Sequence, residues 1–297
     1  MKRLFTSVIL GIFLFTNLSV PAQAGFFADK KAEITKNRQE RKARKDIERV
    51  LAKQDKYASK FDHIGLSTLY SQDFVSADGI TKNEYFELVK ETWESYPDIT
   101  YTSEIKDIKI NGSKAAADVY ETSLAAVTQI EEGVKIYGEL TSHSNGTYYF
   151  TKTNGKWLIS GEKISDEKSY LKYGDTRFIN MELNAPKSVK PGEYYTSTLT
   201  IDMPENAMAI ASIGREEITY PQNRNEEVFR KFPDDNILER MFYANKNGKN
   251  EYNIASVGIS KSEAAGTGRI RVYLAGIAFI LTRVNVENEV QNAEKDK

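Results

Sequence analysis

The sequence of 297 residues contains no cysteine and two histidines. The absence of cysteine excludes disulfide bonds, thiolate metal ligands, cysteine nucleophiles and a lipid anchor attached through cysteine. Two histidines without His-x-His or Glu-x-x-His spacing predict no metal site. Glycine-rich phosphate loops and a Gly-x-Ser-x-Gly elbow are also missing from the sequence, so we expect no bound cofactor.

The composition is that of a folded protein with nearly balanced charge. Hydrophobic residues make up 40% of the chain and charged residues 28%, which is ordinary for a globular protein. The formal net charge of −1 offers no basic excess for a phosphate backbone, so we expect no nucleic-acid partner. A chain of this length favours two domains over one.

The N-terminus carries the pattern of a secretory signal peptide over residues 1–24. A basic pair precedes the mostly apolar run 4–18, and a small-x-small site ends at Ala24. The run is shorter than the roughly 20 apolar residues that span a bilayer, so we expect cleavage after Ala24 and no transmembrane anchor afterwards. The sequence therefore predicts a periplasmic or secreted protein. Residues 25–45 are expected to form a basic helical extension, either solvated or held at an anionic envelope surface.

Residues 46–168 combine helical and strand periods. The T-x-x-E pattern at 81–84 is a capping box, which predicts that a helix begins there. After Pro97 the apolar period becomes two, and Asn-Gly pairs at 111–112 and 154–155 predict hairpin turns. The pattern predicts helices followed by a four-stranded antiparallel meander, which is an α+β domain.

Residues 176–287 show little helical periodicity. Five of the seven prolines lie beyond residue 185, and short strand-like runs recur between turn signals. About seven strands are expected, and they predict an antiparallel β-sandwich. The polar connection at 165–175 is the expected domain boundary, and the charged tail at 288–297 is expected to be disordered.

The order of elements in the first half resembles a known superfamily. A helix, "LSTLYSQDFVSADG", a capped helix and four strands ending in "GTYYFTKTNGKWLISGEKI" resemble the nuclear-transport-factor-two-like superfamily over about residues 46–165. This superfamily includes ketosteroid isomerases, polyketide cyclases and many non-enzymatic domains, so the resemblance implies a fold more than a function. It implies a cone-shaped helix-plus-antiparallel-sheet domain that commonly forms homodimers. The second half resembles a bacterial immunoglobulin-like sandwich, so the predicted fold class is α+β with an all-β sandwich domain following the cone.

The resemblance also implies candidate site residues. In the isomerase branch a general base follows the first strand, and Asp78 falls on that position; the alternative is a turn residue before Gly79. The isomerase oxyanion hole needs a tyrosine on the first helix and a protonated aspartate on the strands. Tyr57 lies on the first helix, about one turn away from the position of that tyrosine. Asp118 lies on a suitable strand, but the sequence does not determine which face of the sheet its side chain is on. The aromatic and polar residues that we expect to line a ligand pocket are Tyr57, Trp93, Asp118, Tyr120, Tyr137, His143 and Tyr148. The alternatives are core packing for the aromatic residues and a structural or surface position for the histidine.

The sequence favours a non-enzymatic binding or interaction protein. We expect the first domain to bind a small apolar ligand or to mediate association, and the second to contact a protein or another envelope partner. The alternative is an isomerase- or cyclase-like enzyme with Asp78 as its general base.

Overall fold

The computed structural model describes residues 23–131, 134–222 and 227–287. Most of the expected signal peptide and the expected disordered tail at 288–297 lie outside these ranges. Among the described residues, no helix is long and apolar enough to cross a membrane.

Three α-helices lie in the first third of the described chain. They are α1 (Gln23–Ala58), α2 (His63–Ser67) and α3 (Lys82–Ser95). By contacts the chain divides into two compact units, residues 1–43 and 44–297. The described part of the first unit is the beginning of α1, and its residues 33–39 are exposed, as expected for a solvated polar helix.

Strands form most of the remaining chain. They are β1 (Tyr70–Ser76), β2 (Thr100–Asn111), β3 (Lys114–Glu131), β4 (Val134–Thr153), β5 (Lys156–Gly174), β6 (Met181–Asn184), β7 (Ser188–Val189), β8 (Tyr194–Ile201), β9 (Ala207–Glu217), β10 (Arg230–Lys231), β11 (Ile237–Tyr243), β12 (Glu251–Ala264) and β13 (Ile270–Val286). A 3₁₀ turn, Asp175–Phe178, follows β5.

The α+β fold class predicted from the sequence is wrong. Strands account for 56% of the structure and helices for 20%. Instead of a cone-shaped domain followed by a separate sandwich, strands of both halves form one ten-stranded sheet in the order β10-β9-β12-β13-β5-β4-β3-β2, with β1 and β7 attached at its side. The sequence period identified the strands, but strand pairing between distant segments leaves no local signal.

Strand β5 joins the two halves of the large sheet. One edge pairs with β4 along most of its length. The other edge pairs in parallel with β1 up to Glu162 and in antiparallel with β13 from Lys168 to Gly174. The segment at 165–174, expected to connect two domains, is therefore strand. The division into domains itself stays a prediction.

A second, three-stranded sheet in the order β11-β8-β6 packs on the large sheet. Alternate residues of β8 face the shared core, which includes the fully buried Leu199 and Ile201. From the large sheet, Ala211, Val257 and Ile280 pack into the same core. Burial of these apolar faces stabilises the second half. Its immunoglobulin-like character stays a prediction.

Local turn and cap signals are confirmed. The backbone N–H of Thr81 donates to the Glu84 carboxylate at 2.8 Å, and α3 begins at the next residue after Thr81. Asn154 and Gly155 connect β4 to β5 with φ values of 50° and 79°, the left-handed conformation that this residue pair favours in tight hairpins.

Substitution of Gly276 by alanine tests the junction of β13 with β5. An added Cβ would lie 2.5 Å from the Tyr173 carbonyl oxygen and 2.8 Å from the Thr176 nitrogen, both backbone atoms. We expect Gly276→Ala to lower the free energy of unfolding by about 1–3 kcal/mol in urea titrations. Gly214→Ala is the matched control, because its nearest neighbour would be the Ile254 carbonyl oxygen at 3.8 Å. If the two substitutions lowered the free energy of unfolding equally, the close backbone contact between β13 and the end of β5 would be contradicted.

Candidate functional site

A cavity of about 260 Å³ lies between helices α1 and α3 and one face of strands β2–β5. Four carboxylates face it: Asp55, Glu121, Glu162 and Glu167. Four tyrosines and one tryptophan form much of its wall: Tyr70, Tyr85, Trp93, Tyr101 and Tyr148. The remaining lining residues are Gln54, Ala58, Leu66, Val89, Thr102, Ser123, Ser142, Ser144 and Ile164. The lining contributed by the described residues includes no lysine, arginine or histidine.

Strand alternation and one bulge place the carboxylates on the same face. Glu162 and Ile164 of β5 point to the cavity at a spacing of two, as alternation requires. Ser165 is then an extra residue, because Gly146 pairs with Ile164 while its neighbour Asn145 pairs with Asp166. The bulge shifts the alternation by one residue and turns Glu167 toward the cavity.

A chain of hydrogen bonds crosses the cavity wall from α1 to β3. Gln54 donates from Nε2 to the Tyr148 hydroxyl at 2.9 Å, and this hydroxyl donates to the two Glu121 oxygens at 3.0 and 3.1 Å. The other amide atom, Gln54 Oε1, is buried and has no hydrogen-bond partner among the described residues. An unsatisfied buried acceptor is uncommon and identifies a place where a donor group is missing.

Two further carboxylates are held by neighbouring side chains. Asp55 accepts from the backbone N–H of Ser103 at 3.0 Å and from its hydroxyl at 2.7 Å. Glu167 accepts from the hydroxyl of Tyr252 on β12 at 2.9 Å. No described side chain donates to Glu162, so its oxygens remain open to the cavity.

Burial raises the pKa of the cavity carboxyls. The pKa of Glu121 is raised to about 7, chiefly by burial, while the Tyr148 hydrogen bond acts in the opposite direction. The pKa of Glu162 is raised to about 8 by burial and then by the charge of Glu121. Burial also raises the pKa of Asp55 and Glu167. Burial therefore favours the protonated form of these carboxyls at pH values where a carboxyl in water is ionised.

Asp78 lies behind the cavity wall in a buried ion pair and is not among the lining residues. Its Oδ1 accepts from Arg283 Nη2 on β13 at 2.6 Å and from Asn250 Nδ2 at 2.7 Å. The Arg283 side chain is 0% exposed and the Asp78 side chain 8%. This position is neither the solvated turn nor the cavity floor that the two sequence-based alternatives describe. The structure provides Asp78 with two donors and no access to the cavity.

The structure brings two of the seven predicted pocket residues to the cavity, Trp93 and Tyr148. Asp118, Tyr120 and His143 lie outside its lining, because Glu121 and Ser142, their neighbours on β3 and β4, face it. Asp118 accepts from the Thr147 hydroxyl at 2.6 Å, and the Tyr120 hydroxyl lies 2.9 Å from His143 Nδ1. Tyr57 on α1 and Tyr137, which is 58% exposed, also lie outside the lining.

Sequence reasoning missed the carboxylates and Gln54. One signal for Gln54 is present, since it falls on the buried stripe of α1 with Ile47, Leu51 and Ala58, at helical spacing. A polar residue in an apolar stripe indicates a buried hydrogen bond or a site. The position of Glu167 depends on the Ser165 bulge, for which the sequence offers no local signal.

Metal binding is not supported by the described part of the chain. Within it, no group of three or more histidine, cysteine, aspartate or glutamate side chains is placed to hold a metal ion.

Comparisons with known proteins give partial likenesses. No protein-family model matches the chain, and no curated protein matches it. Among solved structures, Bd1075 of Bdellovibrio bacteriovorus is similar over 41% of this chain and 40% of its own length, at 14% identity and a TM-score of 0.34. A type 2 hexachlorocyclohexane dehydrochlorinase (LinA) is similar over 43% of this chain and 87% of its own, at 14% identity and a TM-score of 0.37. A protein of the NTF2-like family from Streptomyces avermitilis is similar over 40% of this chain and 93% of its own, at 12% identity and a TM-score of 0.30.

The pH dependence of stability tests the raised pKa values. Glu121 and Glu162 hold protons in the folded state up to about pH 7 and about pH 8, against an ordinary pKa of 4.5. Their contribution to stability is full below pH 4.5 and is lost as the pH rises through these folded-state values. We expect the free energy of unfolding to fall between about pH 5 and pH 8, by at most about 1.4 kcal/mol per pH unit for each group.

The Glu121→Gln variant should flatten this dependence, because it removes one titrating group and one charge that raises the pKa of Glu162. Glu139→Gln, an exposed position on β4, is the control and should leave the slope unchanged. A wild-type protein whose unfolding free energy is constant from pH 5 to pH 8 would show that these carboxyls titrate near their ordinary pKa.

Proposed function

We propose that the protein is a ligand-binding protein whose cavity holds one small organic molecule. The observation that carries this proposal is the cavity of about 260 Å³ with the unpartnered Gln54 Oε1 in its wall. Concave sites with apolar walls and a few converging polar groups are the usual form of small-molecule sites.

The lining supports an amphipathic ligand rather than a purely apolar one. Leu66, Val89 and the rings of Tyr70 and Trp93 offer apolar contact, which agrees with the apolar ligand expected from the sequence. Glu162, to which no described side chain donates, and the buried unpartnered atoms Gln54 Oε1 and Trp93 Nε1 require hydrogen-bonding groups on the same molecule, since buried polar groups without partners are unfavourable. The proposed ligand therefore has an apolar body and polar hydrogens.

Export, the partner and the oligomeric state remain proposals from the sequence. The signal-peptide pattern supports a periplasmic or secreted location. In that setting the strands of the second half would offer a surface to a protein or another envelope partner, and homodimer formation would follow the superfamily that the first half resembles. The basic part of α1 would remain solvated or lie on an anionic envelope surface.

An acid–base enzyme is the second candidate, and Glu121 favours it. A carboxyl with a pKa of about 7 that accepts a hydrogen bond from the Tyr148 hydroxyl has the properties of a general base at neutral pH. In this alternative Glu121 takes the role that the sequence assigned to Asp78, because the Asp78 carboxylate is occupied by Arg283.

Filling the cavity tests the proposed function. Ser123 of β3 lines the cavity, so Ser123→Phe should place a ring in it and weaken ligand binding by at least about tenfold. Thermal-shift and calorimetric titrations would use a library of small amines, alcohols, carboxylates and apolar compounds. Leu124→Phe is the matched control, because Leu124 is the next residue, lies outside the lining and is 48% exposed.

Loss of binding in Ser123→Phe but not in Leu124→Phe would support the cavity as the site. Compounds that bind both variants as well as the wild type would contradict it. Mass spectrometry of each bound compound separates the two candidates, since a binding protein returns it unchanged and an enzyme converts it.

A further inference from the structure

We infer that the ligand of this cavity is a small organic cation with N–H donors, a primary or secondary ammonium group on an apolar body. This inference rests on the proposed function, because it names the ligand class of the same cavity. It is carried by three features of the wall: open hydrogen-bond acceptors, an excess of acidic groups and aromatic faces.

Gln54 Oε1 and the Glu162 carboxyl are acceptors that no described side chain fills, and the Trp93 indole N–H is the one buried donor of the described lining without a partner. The proton of the Tyr148 hydroxyl is directed to Glu121, so its oxygen receives the Gln54 Nε2 donor and leaves Gln54 Oε1 without one. Gln54 is 7% exposed, so solvent does not readily supply the missing donor. The Glu162 carboxyl, whose pKa is raised to about 8, adds two further acceptors once it is ionised. A ligand must therefore bring hydrogens, which an ammonium group supplies on several sides.

The charges around the cavity favour a cation. Four carboxylates line it, and no lining residue in the described ranges is basic. Arg283 acts electrostatically on Glu162 and Glu167, but it lies outside the lining and its Nη2 is bound to Asp78 at 2.6 Å. An anionic ligand would meet these carboxylates without a lining cation to offset them, whereas an ammonium group would neutralise one or more of them.

The aromatic walls suit the same ligand. Tyr70 and Tyr85 lie side by side, with ring centroids 5.2 Å apart and hydroxyl oxygens at 3.1 Å. Trp93, on the same helix as Tyr85, adds a larger ring. The faces of such rings attract cations and also cover the apolar body of an amine.

Binding of a cation should release protons from the wall. Among the groups that face the cavity, α1 contributes Asp55, β3 contributes Glu121 and β5 contributes Glu162 and Glu167, while Asp78 and Arg283 lie behind them. Burial, and for Glu162 also the charge of Glu121, raises the pKa of these carboxyls and so favours their protonated forms. A bound cation favours their ionised forms, so the affinity should rise as the pH is raised toward about 8.

Calorimetric titration with matched compounds tests the inference. The probes are benzylammonium, cyclohexylammonium and n-butylammonium, each compared with the corresponding alcohol and carboxylate. We expect at least one ammonium compound to bind about tenfold or more tightly than its alcohol, and its carboxylate to show no binding. Benzyltrimethylammonium, which lacks N–H groups, should bind more weakly than benzylammonium because it cannot donate to Gln54 Oε1 or to the carboxylates.

Two variants and two buffers complete the experiment. Glu162→Gln should reduce the preference for the ammonium compound over its alcohol by about tenfold or more, whereas Glu139→Gln on the exposed part of β4 should not change it. At pH 7, titrations in buffers of different ionisation enthalpy should show protons released on binding of the cation. Equal binding of ammonium compound and alcohol in the wild type, or tighter binding of the carboxylate, would overturn the inference.

Failure of this inference is distinguishable from failure of the proposed function. If a neutral or anionic compound binds in preference to the ammonium compounds and Ser123→Phe abolishes its binding, the cavity remains the ligand site. The inference that its ligand is a cation is then wrong. If an ammonium compound binds with equal affinity to the wild type and to Ser123→Phe, it binds elsewhere, and the inference about this cavity is wrong.

Discussion

The buried ion pair between Asp78 and Arg283 links the turn before α3 in the first half to β13 in the second half, beside the pairing of β13 with β5. Removing two charges from water costs several kcal/mol for each ion, and only close contact with further hydrogen bonds offsets this. Here Asn250 also donates to Asp78 and Asn285 accepts from Arg283 Nε at 2.8 Å, while Arg283 Nη1 is buried without a partner among the described residues. The turn before α3 is thereby fixed to β13, which lies between β12 and β5 in the large sheet.

This ion pair also affects the electrostatics of the cavity. The Arg283 charge acts to lower the pKa of Glu162 and Glu167, and the Asp78 charge acts to raise it. Burial remains the largest effect on both carboxyls, so their pKa stays above the ordinary value. Tyr252 of β12 adds a hydrogen bond to Glu167. Strands from the second half therefore help to determine the protonation of a cavity whose walls come from the first half.

Sequence signals that act over a few residues predicted the local structure correctly. The pairing of strands that are distant in the chain was not predicted. The capping box at 81–84 and the Asn-Gly turn at 154–155 are local, and both are confirmed. The single sheet arises because β13 pairs with the part of the β5 edge that β1 leaves free, and no local period encodes this pairing. The same limit applies to the site. Tyr148 follows from its strand and aromatic character, whereas Glu167 faces the cavity only because of the bulge at Ser165.

A double-mutant cycle on Asp78 and Arg283 tests the central claim most directly. Urea titrations at one pH would give the free energies of unfolding of Asp78→Asn, Arg283→Met and the double variant. We expect each single substitution to cost about 3–5 kcal/mol, because it leaves a buried charge unpaired. The double variant should lose less unfolding free energy than the two single variants together, and the difference, the coupling energy, should be about 2 kcal/mol or more. Single effects below about 1 kcal/mol with no coupling are the values typical of exposed ion pairs, and they would contradict the account.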